Sequence, residues 1–98
     1  MKVYKIKDTA RNLYLKTGST WDEKGDVFRD EANMKKLLRA NMWSYNQAVK
    51  DGDSENIKYE QDARKSWVIE EYECVISKTT KVFTPREDKI KNILNESL

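Results

Sequence analysis

The sequence predicts an α+β fold: a small antiparallel sheet of four to five strands, one helix packed on a face, and a C-terminal amphipathic helix. Three observations point there. Residues 1–29 alternate short apolar runs with turn formers, residues 30–50 space their apolar side chains for a helix, and residues 67–83 return to β-branched and aromatic residues. A chain of 98 residues suits a single small domain with one core and little spare volume for a deep pocket.

The first third, residues 1–29, reads as a β-meander. Lys2–Lys7 alternates, with Tyr4 and Ile6 on one face and Val3, Lys5 and Lys7 on the other. Asp8 to Asn12 supplies turn formers, Leu13–Lys16 makes a second strand, and Thr17 to Thr20 is a loop. Trp21 precedes the tight turn Asp22-Glu23-Lys24-Gly25, and Val27-Phe28 is expected as a third, very short strand.

A helix is expected over residues 30–50. Asp30 is a good N-cap, and Glu31 sits where the helix dipole favours negative charge. Met34, Leu37, Leu38, Met42, Tyr45 and Val49 form an apolar stripe, with Lys35, Lys36 and Arg39 on the solvated side. Asp51-Gly52-Asp53-Ser54 stops the helix, and residues 51–66 read as a polar loop with only Ile57 and Tyr59 as large apolar groups. Thr84-Pro85-Arg86-Glu87 matches a capping box and predicts an amphipathic helix over residues 85–97, presenting Ile90, Ile93 and Leu94. Such a helix is marginal alone in water, so it either covers a sheet edge or mediates self-association.

The stretch SWVIEEYECVI, residues 66–76, is the most ambiguous. As a strand it places Val68, Glu70, Tyr72, Cys74 and Ile76 on one face, taken as the core face, and Trp67, Ile69, Glu71, Glu73 and Val75 on the other. Glu70 then needs a basic partner from a neighbouring strand, or a place at the sheet's end, because a buried carboxylate without a partner is costly. Glu71 and Glu73 are expected to line a solvated, negative face.

Composition excludes several chemistries. The chain has no histidine, which removes the usual general base and the commonest transition-metal ligand. Its three glycines stand apart, so no phosphate-cradling loop exists, and no Asp-rich calcium loop is present. Cys74, the only cysteine, allows no internal disulfide, reads as a small core thiol, and fits a reducing cytoplasm. No apolar run approaches the roughly 18 residues that span a bilayer, and MKVYKIKD lacks the long hydrophobic stretch of a signal peptide. No catalytic residue, cofactor or metal is expected. A nuclease built on Glu71 and Glu73 is the residual enzymatic alternative.

Net charge is only +2, but it is uneven. Residues 1–20 hold five basic groups against one acidic group, whereas residues 51–78 hold eight acidic groups against four basic ones. Such polarity suits a surface that recognises another protein. Trp43 falls beside the helix stripe and Tyr59 lies in the polar segment, so each is either an interface anchor or a satellite of the core.

The quoted segments VYKIKD, LYLKTGSTW, KGDVFRD, KKLL and WVIEEYE together resemble a family of small accessory proteins of tailed bacteriophages, over residues 2–40 and 67–75. The resemblance implies expression in a bacterial host cytoplasm, with a role in host takeover or in neutralising a host defence. It carries over no catalytic residues, and the chain departs from the family's pattern in residues 42–66 and the C-terminal segment.

The leading expectation is therefore a non-enzymatic module that binds an unidentified host protein through Lys36, Arg39, Trp43 and Tyr59. Homodimerisation through the C-terminal helix is a further expectation. The alternative is a small nucleic-acid-binding protein using Lys2, Lys5, Lys7 and Arg11. Against that stands a simpler reading of the same lysines, as guards of an edge strand.

Overall fold

The computed structural model describes residues 1–76, 81–85 and 90–95. Its sheet is antiparallel throughout. Strands β1 (Lys2–Asp8), β2 (Leu13–Lys16), β3 (Thr20–Asp22), β4 (Trp67–Ile76) and β5 (Lys81–Pro85) lie in the order β3-β2-β1-β4-β5, and β6 (Lys91–Asn92) pairs with β4. Helices α1 (Glu31–Asn41), α2 (Trp43–Asp51) and α3 (Ser54–Arg64) intervene between β3 and β4. The fold class is α+β.

β1 is central rather than an edge. It pairs with β4 along its length, from Lys2 opposite Glu73 to Asp8 opposite Trp67, and with β2 through Lys7 and Asp8. Phe28 adds a bridge to β1, its N–H and carbonyl exchanging 2.8 Å bonds with Tyr4. The third strand is thus Thr20–Asp22, and Val27-Phe28 contributes a single bridge instead of a strand. Asp22 builds the expected turn, its Oδ1 accepting from the N–H groups of Lys24 and Gly25.

The core lies between the helices and one sheet face. Ile6, Leu15, Trp67 and Ile69 meet Met34, Leu38, Met42 and Ile93 there. Because register places Tyr4 opposite Glu71 and Ile6 opposite Ile69, the core face of β4 is the Trp67, Ile69, Glu71 face. This reverses the assignment expected from β4 alone. Both faces of β4 are apolar enough to be buried, and the helix layer decides between them. Val68, Glu70, Tyr72 and Cys74 lie on the opposite face, where Cys74 is still buried.

The single helix expected over residues 30–50 breaks at Met42. Asp30 caps α1 as expected, accepting from the Ala32 N–H at 2.8 Å. Beyond the break the inward side carries Met42, Tyr45 and Ala48, while Val49, part of the expected stripe, is exposed. Breaking the helix keeps Met42 buried while turning the next two turns onto a new course.

Residues 51–66 are not a loop but contain α3. Gly52, at φ 69°, ends α2, and its N–H donates to the Val49 carbonyl. Asp53 then caps α3, accepting from the Asn56 N–H at 3.2 Å. α3 has no apolar stripe. Its one buried residue is Arg64, whose guanidinium pairs with Glu60 one turn back and donates to the Asn41 carbonyl at the end of α1. Charge and capping hold this helix, which is why hydrophobic periodicity does not reveal it.

The helix expected over 85–97 is also not what the described residues form. Pro85 closes β5, Lys91-Asn92 pair with β4, and Ile93–Asn95 make one 3-10 turn that sends Ile93 into the core. Proline fits an edge strand, where its missing N–H costs no ladder bond. Residues 86–89 and 96–98 lie outside the described residues.

Candidate functional site

The four residues expected to bind a partner all face outward. Lys36 and Arg39 are exposed on α1, Trp43 is 64% exposed at the start of α2, and Tyr59 is 70% exposed on α3. In each helix these positions lie roughly opposite the buried ones, Met34 and Leu38 in α1, Ala48 in α2, Arg64 in α3. The other two tryptophans do the reverse. Trp21 and Trp67 pack with tilted rings, 4.9 Å between centroids, with Arg11 over the first ring and Arg64 over the second.

The basic residues of the N-terminal strand do not form one patch. Lys2 is on the helix face of the sheet, whereas Lys5 and Lys7 are on the other, 4.4 and 5.4 Å from the centroid of the Tyr14 ring. Lys5 also donates to the Lys24 carbonyl at 2.8 Å. Arg11 is held by Asp8 at 2.7 Å. Central position and aromatic neighbours thus replace edge protection as the account of these lysines.

Asp8 is 4% exposed, and its carboxylate accepts from Ser66 Oγ, Arg11 Nε and the Ala10 N–H. Burial alone pushes its carboxyl up, but hydrogen bonds from Ser66, Arg11 and the Ala10 N–H, with the Arg11 charge, outweigh burial and hold it below the ordinary aspartate value. A depressed carboxyl stabilises the fold at neutral pH, and that contribution is lost as pH falls through the lowered value. Stability should therefore drop in acid below about pH 4, and Asp8→Asn should flatten that limb of a urea-midpoint series between about pH 5 and about pH 2.

The three glutamates of β4 separate. Glu70 accepts from the Tyr72 hydroxyl at 2.8 Å, and this bond, after burial, raises the Tyr72 phenol. Glu73 accepts from the Met1 ammonium at 2.9 Å. Glu71 faces the helices rather than open solvent, in a cleft of about 260 Å³ lined also by Lys2, Tyr4, Glu31, Met34, Lys35, Ile69 and Lys91. Lys35 is 3.3 Å from Glu31. Burial first, and then the nearby charges of Glu31 and Glu71, raise the Tyr4 phenol, so it stays protonated. Among the described residues no group of three or more acidic or thiol side chains is placed to share a metal ion.

This cleft is not among the sites expected from the sequence. Its lining comes from β1, α1, β4 and β6, so only the Glu31–Lys35 pair, four residues apart on one helix, carries a local signal.

The geometry defines a two-layer α+β chain with a helix-lined charged cleft and outward aromatics, and no helix among the described residues is long and apolar enough to cross a membrane. No family model, curated protein or solved structure matches the chain.

Proposed function

We propose that this chain is a non-enzymatic protein-binding module that recognises its partner by shape and charge. The supporting observation is the display of Trp43 and Tyr59 on the outer sides of α2 and α3, two helices that pack on each other. Large aromatics held in water on rigid elements are favoured interface anchors. Lys36 and Arg39 on the adjoining α1 supply the cations. The resemblance of the quoted segments to accessory proteins of tailed phages makes the partner a host protein, including a defence protein, inhibited or modulated in the host cytoplasm. Self-association through the C-terminal segment belongs to the same proposal, supported by the exposure of Ile90.

The nucleic-acid reading has less support. Its residues are split between two faces of a central strand, and Lys5, Lys7 and Arg11 are already engaged.

Affinity capture from bacterial lysate tests the proposal, with the wild-type chain and the Trp43→Ala/Tyr59→Ala double variant as baits. The wild type should retain one protein in stoichiometric amount. Each truncation should weaken that complex by about 2 kcal/mol, roughly 30-fold, without changing the stability of the chain. Recovery of no stoichiometric protein, or equal recovery by both baits, overturns the reading.

A further inference from the structure

We propose that the cleft between the first turns of α1 and strands β1, β4 and β6 receives one carboxylate side chain from an acidic segment of the partner protein. This rests on the protein-binding reading above and names the chemistry of what is bound.

Three lysines line the cleft from three elements: Lys2 from β1, Lys35 from α1 and Lys91 from β6. Lys35 is engaged by Glu31 at 3.3 Å. Lys2 and Lys91 make no ion pair among the described residues. Both are exposed, so their charge is available at the rim. Met34 and Ile69, nearly fully buried, bring apolar side chains to the lining. A cleft with a cationic rim and a few apolar side chains in a mostly polar lining matches an aspartate or glutamate, whose methylene stem packs while its carboxylate stays at the mouth.

The charge count selects a monoanion. Among the described residues that line the cleft, three lysines stand against Glu31 and Glu71, a balance of one positive charge. A single carboxylate balances it. A phosphate dianion or a nucleic-acid backbone would bring excess negative charge against two fixed carboxylates, which is repulsive discrimination built into the site.

The surroundings extend the match. Arg39 lies one helical turn beyond Lys35, and Lys36 lies three residues before Arg39, both exposed on α1. A partner segment with further acidic residues, entering at the cleft and running along α1, meets this basic ridge. The two features sit on one helix and so are rigidly spaced.

The test is an amide-resolved NMR titration of the full chain with a short glutamate-rich peptide, its glutamine counterpart and inorganic phosphate. The acidic peptide should shift amides at Lys2, Lys35, Ile69 and Lys91, and the glutamine peptide should not. The Lys2→Gln/Lys91→Gln variant should bind the acidic peptide about tenfold more weakly, and added salt should weaken the wild-type complex. Lys91→Gln alone, an exposed change, keeps the test open if the double variant does not fold. Shifts confined to the Lys5, Lys7 and Tyr14 face, an equal response to the glutamine peptide, or tighter binding of phosphate than of the acidic peptide overturn the proposal. Used as lysate baits, the lysine variants separate the two ideas. Undiminished capture by them, with capture lost in Trp43→Ala/Tyr59→Ala, sinks the cleft and leaves the binding module standing; no capture by the wild type sinks both.

Discussion

Replacing Arg64 with alanine lowers the free energy of unfolding by about 3 kcal/mol, read as a lower urea midpoint at unchanged slope. Arg64 is 8% exposed, and its guanidinium serves four partners. Nε and Nη2 donate to the Asn41 carbonyl at 3.3 and 3.0 Å, and Nη1 donates to the Glu60 carbonyl and carboxylate. Its flat face lies 5.2 Å from the Trp67 ring centroid. Truncation leaves the Glu60 carboxylate, itself only 14% exposed, without its counter-charge, and leaves a helix-terminal carbonyl without its donor. Removing one partner of a buried pair costs more than the pair contributes, because the survivor stays desolvated. Arg64→Lys should recover only part of the loss, since an ammonium cannot span Asn41 and Glu60 with one planar fork. Amide exchange should accelerate first in α3, which offers no apolar side chain to the buried core cluster. A loss below about 1 kcal/mol would place this residue with ordinary surface ion pairs and refute its role as the clasp of the helical layer.

That clasp marks where sequence reading stops. α1 is legible because Met34, Leu37 and Leu38 fall on one side and Asp30 stands at its start, all within local reach. α3 is not, because its inward residue is an arginine whose partners lie in α1 and β4 as well as in α3 itself, and periodicity scores only apolar side chains. The Gly52-Asp53 stop and cap was the available signal; it ended one helix and also began the next. β4 shows a second kind of limit. Trp67 and Ile69 on one face and Val68, Tyr72 and Cys74 on the other are nearly balanced, so the buried face depends on which side the helices lie. At the C-terminus Thr84-Pro85 satisfies the local pattern of a helix start, yet pairing of β5 with β4 takes both residues into an edge strand. The same division holds for function. Outward positions of Lys36 and Arg39 follow from helical phase and Trp43 falls beside the expected stripe, but Tyr59, expected in a loop, is carried outward by α3, and the cleft needs lysines from residues 2, 35 and 91 to line one place.

Gly25→Ala should be nearly as damaging as the loss of Arg64, and for a reason confined to one atom. Gly25 adopts φ 63°, which costs alanine about 1 kcal/mol by itself. A Cβ there would stand 2.3 Å from the Tyr14 Cβ and 3.2 Å from the Leu15 carbonyl oxygen. Tyr14 Cβ is fixed to the β2 backbone and cannot swing aside, so either the strand or the Asp22–Gly25 turn must move. Moving the turn strains the bonds from Lys24 and Gly25 to Asp22, and the Asp26 N–H bond to the Leu15 carbonyl just beyond it. The combined cost should reach about 3 kcal/mol, in the range of overpacked core substitutions plus the backbone penalty. Gly18 and Gly52 supply the control. Both have positive φ, at 94° and 69°, but neither has an atom within 4 Å of the added Cβ. Alanine at Gly18 or Gly52 should therefore cost only about 1 kcal/mol, the conformational part alone. Equal losses at all three glycines would mean that backbone preference explains everything and that the Tyr14 contact does not constrain the turn. A larger loss at Gly25 alone would show that β2 and the turn are packed with no clearance at the Tyr14 contact.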